Sequence, residues 1–163
     1  MSLLDTPSVA RVSRALADAG STAQVVALAA TARSAEDAAR SVGCPLGAIV
    51  KSLVFRIGDR AVMALVAGDR QCDTGKLPVI LGLAGKADRA DADFVRQATG
   101  FAIGGVPPVG HPRPLPTAID ASLARFTTVY AAAGHPHCVF ATTTEELARL
   151  TGGRLDAELA RQA

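Results

Sequence analysis

The sequence predicts an α+β fold, a single domain built on a curved and largely antiparallel β-sheet, and three observations lead there. Two apolar runs, "IVKSLVFRI" at 49–57 and "AVMALVA" at 61–67, are separated by turn residues around Gly58 and Asp59, the pattern of a β-hairpin. Stretches with helical spacing, opened by Ser, Thr or Asp and stopped by Gly, lie on either side of it. The chain of 163 residues is 49% apolar and 20% charged, with no internal repeat or inter-domain linker, so residues 1–163 read as one domain with a real core.

In chain order, Thr6 and Pro7 supply an N-cap and a first helical position, and Val9, Val12 and Leu16 recur at helical spacing up to Gly20. "AQVVALAA" at 23–30 reads as a strand despite its alanines. Ser34 with Asp37 three residues later resembles a capping box, and Ala35, Ala38, Ala39 and Val42 lead to a stop at Gly43. The hairpin follows. Asp73 to Leu83 is expected to hold a helix with Pro78 in an early turn, and Asp91 to cap a helix carrying Phe94, Val95 and Ala98 as far as Gly100. Residues 101–116, "FAIGGVPPVGHPRPLP", are too rich in Gly and Pro for a helix or a central strand and form an ordered loop or an irregular edge. "FTTVYAAAG" and "HCVFAT" read as two strands, and "TTEELARLTGG" as a capped closing helix with Leu147 and Leu150 inward.

The net charge of +2 is too small to announce a nucleic-acid protein, although local RNA contact stays open. Arg11, Arg14, Arg33 and Arg40 lie on or beside the first two helices, where they either meet a phosphate backbone or form ordinary solvated faces. Cys44, Cys72 and Cys138 form no CxxC pair, which argues for free thiols in a reducing compartment, by default the cytoplasm. The N-terminus lacks a charged stretch followed by an apolar one, and no run of about 18 apolar residues occurs. Neither a membrane nor DNA is an expected partner.

Lys51 interrupts an otherwise apolar run. Alternation sets it with Ile49, Leu53, Phe55 and Ile57 on the more apolar face of its strand. The ordinary explanation is a packed stem with its ammonium snorkelling to water; the other is a cation directed into a site. "GGVPPVG" at 104–110 is the strongest local signal, because backbone N–H groups in such a loop can face a carbonyl oxygen or a phosphate, although a structural corner has the same composition. His135 and His137 flank Pro136, but no carboxylate or cysteine lies at a familiar ligand spacing, so no metal is expected. His135 is placed either to make one hydrogen bond in a cleft or to sit in an exposed turn. No GxSxG elbow, Walker A or Rossmann pattern occurs, and Cys72 in "RQCDTG" reads as a packing residue. No cofactor is implied.

Taken together and in this order, "VKSLVF", "IGGVPPVGH" and "VYAAAGHPH" resemble the YbaK/ProX family of trans-editing aminoacyl-tRNA deacylases, free-standing relatives of the editing domain inserted in bacterial prolyl-tRNA synthetases. The likeness covers about residues 20–153. It implies a curved, barrel-like mixed β-sheet surrounded by helices and hydrolysis of the ester between a wrong amino acid and the 3′-terminal adenosine of tRNA, usually tRNA for proline. The partners it implies are the acceptor end of a mischarged tRNA and, transiently, prolyl-tRNA synthetase or an elongation factor. By resemblance the site comprises Lys51, Gly104 and Pro108 at the ends of a GxxxP loop, and Gly134 with His135.

Ester hydrolysis needs a held carbonyl, a stabilised oxyanion and a nucleophile. Loop N–H groups and the Lys51 charge suit the first two, while a water or the ribose 2′-hydroxyl is left as nucleophile. Lys51 could serve as a neutral base only with a pKa lowered by burial. Ala132, Ala133 and Gly134 stand where cysteine-specific members tend to carry Ser-Ala-Gly, so the resemblance points to alanine or 2-aminobutyrate ahead of cysteine. The competing class is a non-catalytic module that binds aminoacyl-tRNA or docks on a synthetase; a lysine Schiff-base enzyme is a third reading.

Overall fold

The computed structural model describes residues 2–29 and 32–163. The helices form where the caps predict them. Helix α1, Pro7–Asp18, buries Val9, Val12 and Leu16, the apolar stripe read from the sequence. Thr6 stands at its N-cap, but the hydroxyl donates back to the Leu3 carbonyl at 2.8 Å instead of accepting from the helix. In α2, Ala35–Val42, Ser34 Oγ accepts from the Asp37 N–H at 3.1 Å. Asp37 returns the bond one residue early, to the Arg33 N–H at 3.3 Å.

The 23–30 run forms only a three-residue strand, β1, Val25–Ala27, and its last residue, Ala30, lies outside the described residues. The hairpin is as expected: β2, Ile49–Ile57, pairs with β3, Arg60–Ala67, across the Gly58–Asp59 turn. Next comes β4, Arg70–Cys72, which the sequence did not announce. The predicted Asp73–Leu83 helix shrinks to α3, Leu77–Leu81, with Pro78 in its first turn and Gly82 ending it in the left-handed region. A short β5, Ala87–Arg89, leads into α4, Ala92–Thr99, whose Asp91 cap accepts from Phe94 N–H at 2.8 Å. Residues 101–116 contain no helix or strand. They run to β6, Thr117–Asp120, then β7, Val129–Ala132, β8, Cys138–Thr142, and α5, Thr144–Thr151. Strands β9, Arg154–Asp156, and β10, Ala160–Gln162, complete the fold. No helix among the described residues is long and apolar enough to cross a membrane.

The main sheet runs β1-β8-β7-β2-β3-β6-β9, with β5 also paired to β2; β10 and β4 form a separate ribbon. It is more mixed than the largely antiparallel sheet expected from the residues alone, because β2–β7, β3–β6 and β6–β9 pair in parallel. Strand β3 lies between two cores. Met63, Leu65 and Ala67 pack with α1, Phe101, Phe140 and Leu147, while Val62, Ala64 and Val66 pack with Leu77, Leu159 and Cys72. Burial on both faces explains why "AVMALVA" reads as unbroken hydrophobicity.

Asp120, 1% exposed, holds the end of this central pair: its carboxylate accepts from Ala67 N–H at 3.1 Å and from Ser122 N–H at 2.9 Å. Asp120→Ala strands a buried main-chain donor, and chemical denaturation should show a loss of about 2–3 kcal/mol.

Candidate functional site

Strand β2 is paired with β3 from Val50 to Ile57, but its other edge is shared. Strand β7 takes Ile49 and Val50, β5 takes Phe55 to Ile57, and the segment 51–54 between them has no strand partner among the described residues. The Ile49 carbonyl accepts from Gly68 N–H on the β3 side at 2.8 Å. Alternation along the strand therefore turns the main-chain groups of Ser52 and Val54 toward the unpaired notch.

Two cavities meet at this notch. One, of ≈ 380 Å³, is bounded by Phe55, Gln71, Cys72, Thr74 and Arg89; the other, of ≈ 360 Å³, by Arg33, Ala38, Tyr130, Ala132 and Val139. Lys51, Ser52, Leu53, Ile103, Gly104 and Val106 line both. Lys51 is half-buried, and its Nζ donates to the Arg70 carbonyl at 2.6 Å. No carboxylate pairs with it among the described residues. An ammonium with one fixed acceptor keeps two further N–H bonds for a ligand. Ser52 Oγ is buried with no hydrogen-bond partner, which makes it a second polar group of the notch.

Cys72 stands near Lys51, but burial, reinforced by Asp73, pushes its thiol up to about 11, against the opposing pull of Lys51. It is protonated at neutral pH and unsuited to nucleophilic attack. Among the described residues no group of three or more His, Cys, Asp or Glu side chains is arranged to hold a metal ion.

Gly104 reaches the notch because the loop is clamped from two sides. His111 Nε2 donates to the Pro107 carbonyl at 2.8 Å, and its ring meets Phe101 edge-on. On the other side, Gly134 N–H donates to the Gly105 carbonyl at 3.0 Å. The backbones touch here: a Cβ on Gly105 would sit 2.9 Å from His135 N, and one on Gly134, at φ +93°, 2.7 Å from the Ser8 carbonyl oxygen. Loop, Gly-His-Pro turn and α1 are thus held together at glycine spacing.

The residues proposed from the sequence separate into two groups. Lys51 and Gly104 share the cavity walls. Pro108 is buried against a different hollow, beside Ala15, Val109 and His111, and shapes the loop from behind. Gly134 and His135 line neither cavity; the neighbouring Pro136 borders the second one. His135 Nδ1 accepts from the His137 N–H at 3.0 Å, so its hydrogen bond closes a local turn. Sequence reasoning passed over Ser52, Ile103 and Val106. The only hint was that Ser52 adjoins Lys51, Ile103 adjoins Gly104, and Val106 follows two residues after Gly104. Of the four arginines, Arg11 is occupied with the Gly100 carbonyl and the Phe101 ring, and Arg40 with Asp37, whereas Arg33 borders the second cavity.

The aminoacyl-tRNA editing domain model matches residues 29–150, so the chain belongs to that family, the YbaK-like editing domains. It is 42% identical to a solved protein described as a proposed trans-editing enzyme for prolyl-tRNA synthetase, with a TM-score of 0.89 over 97% of this chain and 99% of that one. It is 36% identical to the uncharacterized protein YwhH of Bacillus subtilis (strain 168), over 71% of this chain and 73% of YwhH. A segment of 78 residues, 48% of this chain, is 41% identical to proline–tRNA ligase of Thermosipho africanus (strain TCF52B), of which it spans 14%.

Gly105→Ala drives a Cβ into His135 main chain and should cost about 1–3 kcal/mol in a urea titration. Burial holds the His111 imidazolium below its usual pKa. Above about pH 6.5 the ring is neutral in both folded and unfolded chains and its stabilisation is complete. As pH falls from there toward the lower folded pKa, the unfolded chain takes up the proton first and stability drops. His111→Gln should remove that part of the pH dependence, read as the difference between two denaturation profiles.

Proposed function

We propose that the chain, acting as one deacylase domain over residues 1–163, hydrolyses the ester joining a small wrong amino acid to the 3′-terminal adenosine of tRNA, with tRNA for proline as its first candidate. The observation that carries this reading is the placing of Lys51 and Gly104 on the shared wall of two cavities at an unpaired strand edge. The notch receives the scissile ester, one cavity the amino-acid side chain and the other the terminal nucleoside. Ala35, Ala38 and Ala132 make the wall of the second cavity small and apolar, which suits alanine or 2-aminobutyrate. None of the three offers the hydroxyl that a serine at 132 would give a thiol. A pocket of this kind separates substrates one methylene apart by about 1–3 kcal/mol, so cysteine is disfavoured instead of excluded.

In the reaction a water adds to the ester carbonyl, the bond to the ribose oxygen breaks, and that oxygen takes the proton given up by the water; were the ribose 2′-hydroxyl to add first, the acyl group would only move to that oxygen and a water would still have to cleave the new ester. Hydrolysis releases the amino acid and leaves a free tRNA end. The Lys51 ammonium offsets the charge that grows on the carbonyl oxygen, and main-chain N–H groups of Ser52 or Val54 at the notch, or of Gly104 or Val106 in the loop, donate to it. Gly134 and His135 act by holding that loop. The chemistry needs no metal or cofactor. Exposed Arg33 and Arg89, on the rims of the two cavities, offer positive charge to the tRNA backbone. Prolyl-tRNA synthetase and an elongation factor are the proposed transient partners, and the cytoplasm the proposed compartment.

A panel of mischarged tRNAs tests this. Purified protein should release alanine or 2-aminobutyrate from tRNA for proline, and Lys51→Ala should lower the rate by about a hundredfold or more while keeping the fold. Tight tRNA binding without ester loss at any enzyme concentration would mark a binding module instead.

A further inference from the structure

Strand β10 lies beyond residue 150, where the match to the editing-domain family stops, yet it pairs with β4, the strand whose Arg70 carbonyl accepts from Lys51. Ala160, Arg161 and Gln162 pair antiparallel with Cys72, Gln71 and Arg70. The Asp73 N–H donates to the Leu159 carbonyl at 2.7 Å. Alternation then makes Arg161 and Gln71 a pair that exchanges both main-chain hydrogen bonds, and it turns the main-chain groups of Arg70 away from β10. The Arg70 carbonyl, so directed, is the acceptor that holds the Lys51 ammonium at 2.6 Å. Strand β10 is the ladder partner of β4 among the described residues. It is anchored by Leu159, which is fully buried in the second core, and by the Lys76–Glu158 ion pair at 2.6 Å.

We infer that β10 is the positioning element of Lys51, acting through β4, and this rests on the reading of Lys51 as the cation of the editing site. A lysine stem has four rotatable carbons, so its ammonium is precise only if its acceptor is. A three-residue strand does not hold a carbonyl in place unaided, because so short a ladder is marginal without a partner. The order of dependence is β10 to the Gln71 main chain, to the Arg70 carbonyl, to Lys51 Nζ. Gln71 and Cys72 also line the first cavity, so the same ribbon shapes the wall opposite the notch.

Arg161 allows a clean test, since its side chain is exposed and only its main chain enters the ladder. Arg161→Pro deletes one donor; Arg161→Ala keeps it. Replacing the 160–161 amide by an ester through semisynthesis removes the same donor without a ring, should proline disturb the fold. Two readouts are taken on the full chain: the NMR signals of the Lys51 side chain, with those of exposed Lys86 as internal reference, and deacylation kinetics on mischarged tRNA. Arg161→Pro and the ester should shift the Lys51 signals, leave those of Lys86 in place, and lower kcat by about ten- to a hundredfold with little change in KM. Arg161→Ala should change neither. Unmoved Lys51 signals in the folded proline and ester variants overturn the inference, whatever the activity. Lys51 signals that move while kcat stays constant uphold the positioning by β10 and count instead against Lys51 as the acting cation.

Discussion

Main-chain groups along a strand edge must be paired or solvated, and among the described residues β2 is paired throughout on one edge but only at its two ends on the other. The rest of the site depends on that asymmetry. Because β7 and β5 take different ends of β2, the sheet forks there, and the residues between them face space instead of another strand. Side chains from both faces of β2, Lys51 and Leu53 on one and Ser52 and Val54 on the other, can then border a single opening. In a continuous sheet those faces would belong to separate layers.

The second constraint is close approach of backbone to backbone. A loop with glycine at 104 and 105 can lie against the Gly-His-Pro turn, and that turn against the first turn of α1, only because no Cβ intervenes at Gly105 or Gly134. This stacking sets Gly104 at the notch on a rigid base, while the buried prolines and the His111 clamp limit the loop's freedom. A site furnished with a cation and main-chain dipoles suits the hydrolysis of an ester that already has a good carbonyl, since the task is charge stabilisation and exclusion of solvent. The protonated thiol of Cys72 fits the same picture, packing beside the lysine without competing as a nucleophile.

Helix ends were legible because caps are local: Ser34, Asp91 and Thr143 each bond a main-chain N–H three residues on. Thr6 shows the limit of that logic, since a neighbouring carbonyl captured its hydroxyl. The hairpin was legible for a similar reason, two apolar runs and a two-residue turn. Strands β4, β5, β9 and β10 were not, because three residues are too few for alternation to register. Parallel pairings such as β3 with β6 were equally hidden, since they join segments more than fifty residues apart.

For the site, the sequence alone placed a lysine on the apolar face of a strand, marked a glycine- and proline-rich loop as an unusual backbone, and through three ordered motifs indicated the family. Those are properties of short windows. Only the tertiary structure decided that Lys51 and Gly104 share one opening while Pro108, Gly134 and His135 support it from outside, and that Ser52, Ile103 and Val106 belong to its walls. It also tied the ammonium of Lys51 to a carbonyl held by a strand about a hundred residues further along the chain. The physical reason is that alternation selects a face of the sheet, whereas the partner each edge receives is settled by how distant segments compete to bury their apolar surface and pair their main chains.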